Sequence, residues 1–294
     1  MIKLIATEDK KTAEQLSSCL LYTSGFYFFG GIKLMRYGYD ELLTQIYRSQ
    51  YGCFSIGRSH MGREILAIKL GSGKTPLIVV GAHHGREFIA SQYIMGELEE
   101  LRLPEDITLY AIPMLNPDGV ELSFMADARW KANARGVDLN RNYPCLFYEK
   151  MTEQRPCREG FKGYYPASER EVKCLIDFVN GVDPFAALTF HAKGEEIYYA
   201  DENTPYVTAI SRGYAQRLAQ LSGYRVMPPS KEPRVYAAGF ENWFRMEKRR
   251  PCLLIELAPY DKSDVPYPAE LWRELTECAR GMVGAFAKYS SMNS

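Results

Sequence analysis

Pro76-Leu77-Ile78-Val79-Val80-Gly81-Ala82-His83-His84-Gly85-Arg86-Glu87 runs from an apolar segment into a glycine-flanked turn that carries two histidines and a glutamate. Pro76 to Val80 is a continuous apolar run. Such a run marks a strand buried on both faces, and so a largely parallel sheet covered by helices. Gly81 and Gly85 flank a tight turn, and residues 89–103 follow with an apolar stripe at helical spacing. The turn carries an imidazole and a carboxylate three residues apart, His84 and Glu87. Both are good ligands for Zn²⁺, and the end of a buried strand holds them rigidly. An HxxE pair also arises by chance, so a metal half-site and an accidental spacing both stand at this point.

The same alternation continues on either side. Strands are expected at residues 53–56, 64–70, 107–113, 186–190 and 251–257. Helices are expected at 37–49, 168–178, 205–221, 239–248 and 271–289. The helix from 168 opens with Ser168-Glu169-Arg170-Glu171, a capping-box pattern. Alternating strands and helices imply a three-layer α/β/α domain around a central mixed, mostly parallel sheet. Residues 1–31 have no clear period and are read as an N-terminal extension with one short helix at 11–21. Residues 32–294 form the catalytic domain in this division. The stretch 114–162, rich in Asn, Asp, Gly, Pro and Arg, is a long irregular region, and such regions in compact domains are usually functional. Active sites of these sheets lie at the carboxyl ends of the strands. His84, Asn116, His191 and Glu256 all fall there.

Composition excludes several partners. The 294 residues are 46% apolar and 24% charged, with a net charge of zero, which leaves no electrostatic footprint for nucleic acid or an anionic membrane. No apolar run is long enough to span a bilayer. The stretch 16–29 is broken by Ser, Thr and Gly and preceded by Glu14, a poor signal peptide. The seven cysteines are odd in number and scattered, without CxxC spacing, which suits a reducing compartment. A cytoplasmic location is therefore expected. Cys145 and Cys157 could pair as a loop staple in an exported protein.

Of the four histidines, His84 and His191 both follow apolar strands. With Glu87 they supply two nitrogens and one carboxylate, leaving a fourth tetrahedral position open, as a catalytic zinc requires. The competing reading makes His191 a strand cap. Glu256 stands in the apolar run Leu253-Leu254-Ile255-Glu256-Leu257. Desolvation there would raise its pKa and suit it to general-base work, and a buried ion pair with an arginine would account for it equally well. The loop 130–142 holds Arg135, Asn140 and Arg141, a set able to grip a carboxylate and leave a cation for an oxyanion. A solvated basic loop has the same composition.

Taken in order, His84-x-x-Glu87, Asn140-Arg141, His191, a tyrosine and Glu256 in an apolar strand resemble the zinc carboxypeptidases of the M14 family. Ser59-His60-Met61-Gly62-Arg63-Glu64-Ile65 and Asn116-Pro117-Asp118-Gly119 are similar to that family's text as well, and the resemblance covers about residues 35–290. It implies one Zn²⁺ held by His84, Glu87 and His191. Glu256 would be the general base, and Arg135 would polarise the scissile carbonyl and stabilise the oxyanion. Asn140 and Arg141 would clamp the substrate's free carboxylate, and Tyr236 would close over the substrate.

Residues 190–199, 130–142 and 239–244 are similar to the bacterial γ-D-glutamyl-L-diamino-acid peptidases, which implies cleavage between D-glutamate and meso-diaminopimelate in peptidoglycan stem peptides. No LysM repeat is found in the chain, so muropeptide fragments are the expected substrates. Glu241, two residues before Trp243, falls at the position that faces the side chain beyond the scissile bond. There it would favour an amine, unless it points to solvent from a helix. Three other functions remain open: a metallocarboxypeptidase removing C-terminal, including basic, residues from ordinary peptides, an amino-acid deacylase, and a non-catalytic binding protein. His84, and not His83, has the spacing to Glu87. His83→Ala should keep stoichiometric zinc by elemental analysis and His84→Ala should lose it, and the reverse pattern would overturn the ligand assignment.

Overall fold

The computed structural model describes residues 26–29, 32–49, 51–260, 267 and 269–294. The expected helix at 11–21 lies outside the described residues. Strands β1 (Phe26–Phe29) and β2 (Ile32–Met35) form an antiparallel hairpin that straddles the expected boundary at residue 31. The rest is built on one eight-stranded sheet. Its strands are β3 (Cys53–Arg58), β4 (Glu64–Leu70), β5 (Thr75–Gly81), β6 (Ile107–Ile112), β7 (Ala186–Ala192), β8 (Glu196–Tyr198), β9 (Arg225–Val226) and β10 (Cys252–Leu257). They lie in the order β3-β4-β6-β5-β7-β10-β8-β9. The central run β6-β5-β7-β10 is parallel, and the β4–β6 and β8–β10 pairings on either side of it are antiparallel.

Period-two alternation sends β5 side chains to both faces. Leu77 and Val79 join one core with Ile94, Leu218 and Phe286, from α2 (Ile89–Glu100), α5 (Pro205–Ser222) and α9 (Met282–Ser291). Ile78 and Val80 join the other with Leu175 and Phe178 of α4 (Arg170–Val182) and with Phe240 and Phe244 of α7 (Phe240–Lys248). Helix α1 (Tyr39–Ser49) packs beside α2 through Leu42 and Ile46. This is the three-layer architecture that the apolar runs predict.

Three elements depart from the expectation. The region 114–162 is not wholly irregular: α3 (Pro117–Met125) begins where Asn116 accepts a hydrogen bond from the Gly119 N–H, with Pro117 in the first turn. The Asn-Pro-Asp-Gly text is thus a helix start. The helix expected over 271–289 is broken into α8 (Trp272–Thr276) and α9, with Gly281 at φ +82° between them. Ser168 does not cap α4; its hydroxyl meets Glu169 and the Asn142 amide instead.

Chain order makes β5 the branch point. The chain leaves β5 towards β6 on one side and later returns to β7 on the other, so a crevice opens at their carboxyl ends. The turn after β5 is fixed on several sides. The Gly85 N–H donates to the Lys131 carbonyl (3.1 Å) and the Arg86 N–H to the Trp130 carbonyl (2.8 Å). A β-carbon on Gly85 would fall 2.1 Å from the Gly119 carbonyl oxygen, so glycine is required there. Asp118 fastens the next layer, accepting from Arg63 (2.8 Å), the Ser59 hydroxyl (2.9 Å) and the Met61 N–H (2.7 Å). Gly85→Ala should cost about 3 kcal/mol, the upper range for overpacking, read as a lowered urea midpoint. An unchanged midpoint would mean the turn is not held against α3.

Candidate metal and catalytic site

Burial and register assemble the site at the carboxyl ends of β5, β7 and β10. His84, Glu87 and His191 are 3%, 6% and 1% exposed. His84 Nδ1 lies 2.9 Å from Glu87 Oε2, His191 Nδ1 lies 3.0 Å from the same oxygen, and the two Nδ1 atoms are 3.1 Å apart. His84 Nε2 faces Asp138 Oδ1 at 3.0 Å. Donation to Asp138 places the His84 proton on Nε2 and leaves Nδ1 as a lone pair. Donors of a tetrahedral zinc site stand about 3.3 Å apart when the bonds are about 2.0–2.1 Å. The triangle is close to that size and is built from the right atom types, so the residues fit zinc.

Electrostatics agree with the geometry. Burial alone would raise the Glu87 carboxyl, yet the charges and hydrogen bonds of His84 and His191 hold it well below its ordinary value. Asp138 is likewise held low against its burial, by His84 and Arg141. Burial pushes His191 down, favouring the neutral imidazole a metal needs. His83 has another task. It is fully buried, meets the Tyr143 hydroxyl at 3.0 Å and Thr189 at 3.3 Å, and stacks on His191.

Glu256 pairs in register with His191 on β7 and with Glu196 on β8. Burial, then the nearby charge of Glu87, pushes its pKa from 4.5 to about 8, against the pull of Lys131 and Arg141. Arg141, with Nη1 on the Asn140 carbonyl at 2.8 Å, has no carboxylate partner among the described residues. Asn140 accepts from the Phe240 N–H at 2.8 Å and turns its amide nitrogen to Glu241 Oε2 at 3.4 Å. The Tyr236 hydroxyl, in the short helix α6 (Pro233–Tyr236), accepts from Asn203. Burial first, then Asp201, pushes Tyr236 to about 12, so it stays a protonated donor.

Arg135 requires a correction. Its side chain is 46% exposed and its guanidinium lies 3.8 Å from Glu169. Asn133 Oδ1 accepts from the Arg135 and Val137 N–H groups, and Gly136 at φ +72° completes a turn that carries the arginine out of the site. Besides Arg141, the loop's cation whose charge acts on Glu256 is Lys131, 15% exposed, with its ammonium 3.4 Å from Glu159 and its own carbonyl hydrogen-bonded to Gly85. Glu241 is 7% exposed and meets the Asn140 amide; it does not point to solvent. No motif in the sequence marks Lys131 or Asp138. The one available signal was their place in the same loop as Asn140 and Arg141.

A His–Glu–His lone-pair triangle beside a raised carboxyl, at the crevice of such a sheet, defines the class of zinc-dependent hydrolases. The zinc carboxypeptidase (Peptidase_M14) family model matches residues 39–232, and the chain belongs to that family. It is 26% identical over 240 residues to γ-D-glutamyl-L-diamino acid endopeptidase 1 of Lysinibacillus sphaericus, covering 69% of this chain and 59% of the relative. It is also 26% identical over 221 residues to carboxypeptidase B of Rattus norvegicus, covering 64% and 53%. The chain thus spans under two thirds of the length of both relatives. Bovine thrombin-activatable fibrinolysis inhibitor, solved with tick carboxypeptidase inhibitor, superposes with a TM-score of 0.71 at 19% identity over 87% of this chain and 96% of that one.

The raised Glu256 gives a signed prediction for the metal-free protein. Between pH 4.5 and about 8 the folded state holds a proton that the unfolded state has lost, so this group's contribution to stability falls as pH rises through that window. Metal-free Glu256→Gln should melt above wild type at about pH 9, and the gap should close towards about pH 5. A gap independent of pH would refute the shift.

Proposed function

We propose that the chain hydrolyses the amide joining an acidic residue to an amine-bearing residue with a free carboxylate, as in the γ-D-Glu–meso-diaminopimelate link of peptidoglycan stem peptides. One observation carries this reading beyond the family. Beside Gly239, at the place a β-carbon would occupy, Glu241 Oε1, Asn242 Oδ1 and Glu241 Oε2 converge at 2.6, 2.9 and 2.9 Å. Asn242 Oδ1 is buried without a hydrogen-bond partner among the described residues. Three acceptor oxygens that share one donor, the Asn140 amide on Glu241 Oε2, suit an ammonium group. The amine of a diamino acid, the residue type in the endopeptidase relative's name, matches that chemistry.

Each side chain then has a task. His84, Glu87 and His191 would hold Zn²⁺, which when bound would supply Lewis acidity to the carbonyl and to water. Glu256 takes a proton from the attacking water and returns it to the leaving nitrogen. Lys131 stabilises the developing oxyanion, the role first expected of Arg135. Arg141 and the Asn140 amide orient the free carboxylate, and the Tyr236 phenol, which keeps its proton, donates a hydrogen bond to the bound substrate. The second reading, a carboxypeptidase acting on ordinary peptides that end in a basic residue, is favoured by the same acceptors and by the resemblance to carboxypeptidase B.

The zinc-loaded protein should cleave L-Ala-γ-D-Glu-meso-diaminopimelate with kcat/KM at least about tenfold above that for an all-L peptide ending in lysine, a difference of about 1.4 kcal/mol. Mass spectrometry should show release of diaminopimelate. Cleavage of the all-L peptide alone would transfer the protein to the second reading.

A further inference from the structure

Lys150 is a buried cation that the catalytic assignments leave unused. It is 6% exposed and has no carboxylate within ion-pair distance among the described residues. The segment carrying it runs against the strip before α7. The Tyr143 N–H donates to the Ala238 carbonyl (3.1 Å), the Ala238 N–H to the Cys145 carbonyl (3.0 Å) and the Met151 N–H to the Arg234 carbonyl (3.3 Å). The Lys162 ammonium closes the segment from behind, on the carbonyls of Phe147 (2.8 Å) and Lys150 (2.7 Å). The Lys150 ammonium donates to the carbonyl of Val235, one residue before Tyr236. The charges that act on it are all in or beside the site: Arg141, Asp138, Glu241 and Lys131.

A buried ammonium with one neutral acceptor is costly. The cost is visible here: burial first, then Arg141, pulls Lys150 down to about 7. An incoming anion would relieve it. The mouth of the site therefore has two kinds of unmet demand. Glu241 and Asn242 gather acceptor oxygens with one donor, the Asn140 amide, and Arg141 and Lys150 have no carboxylate within ion-pair distance among the described residues. Lysine with its single carboxylate can satisfy Arg141 and Glu241 and leaves Lys150 unmatched. A residue with one amine and two carboxylates matches all three.

We propose that Lys150 is a substrate-binding residue that takes a second carboxylate, so that the site selects a diaminodicarboxylic acid over a simple diamino acid. The proposal rests on the reading of Glu241 as the amine's partner and adds the group that tells the two amino acids apart. The test is calorimetric binding of free meso-diaminopimelate and of L-lysine to the zinc-loaded wild type, Lys150→Gln and Lys150→Arg. Glutamine keeps a donor for the Val235 carbonyl and removes the charge, and arginine keeps the charge.

Wild type should favour diaminopimelate, and Lys150→Gln should shrink the affinity ratio by about 10- to 100-fold, the worth of one charge-assisted contact. Lys150→Arg should restore most of that ratio, which a merely structural role would not do. An equal ratio in wild type and Lys150→Gln overturns the inference. So does a wild-type ratio near one, or failure of both amino acids to bind. If the ratio depends on Lys150 while L-Ala-γ-D-Glu-meso-diaminopimelate is left uncut, the proposal stands and the assignment of the scissile bond fails.

Discussion

Three lone pairs face one another at about 3 Å in the interior of this protein, from His84 Nδ1, His191 Nδ1 and Glu87 Oε2. Two imidazoles and a carboxylate packed this closely, with ligand atoms inward, are stable only around a proton or a cation. Much of the surrounding structure keeps them in that posture. Asp138 fixes the His84 tautomer, His83 and Thr189 pack against His191, and the carbonyls of Trp130 and Lys131 hold the turn between β5 and α2. The sheet supplies the rest by placing His191 and Glu256 side by side on parallel strands.

The loop around this centre is held rigid by side chains bonded to its backbone. Asn133, Asn140 and Asn142 turn side-chain groups onto main-chain neighbours, including the Phe240 and Glu169 N–H groups. Arg141 and Lys150 then remain without carboxylate partners in a mouth that also holds Glu241. Behind it, the buried Arg245 grips Asp201 at 2.9 and 3.1 Å and so ties α7 to the segment that carries Asn203, the partner of Tyr236. Charges that would destabilise an ordinary core are kept apart here, where a zwitterionic ligand would meet them in pairs.

The fold was legible because β5 and its neighbours are buried on both faces and read as apolar runs. The strand at 64–70 has the bounds its residues imply, and His84 and His191 follow from strand ends. Less legible were elements whose conformation is set by contacts distant in sequence. Helix α3 hides in a Pro- and Gly-containing motif, and β8 and β9 are three- and two-residue strands that exist by pairing at the sheet edge. In the loop 130–142 no periodicity says which way a side chain points. Arg135 and Lys131 have the same charge, and only the turn at Gly136 and the bond from Gly85 to Lys131 separate them. Lys150 stands outside every motif, and its surroundings arise when residues 143–151 meet 234–239.

The central claim is that the lone-pair triangle is a zinc site with one position free of protein. X-ray absorption at the zinc K-edge of the loaded protein tests it most directly. The predicted spectrum has a shell of four nitrogen and oxygen neighbours at about 2.0–2.1 Å, with imidazole scattering from two histidines and no sulfur. A shell containing sulfur at about 2.3 Å, or lacking paired imidazole scattering, would place the metal elsewhere and contradict the account.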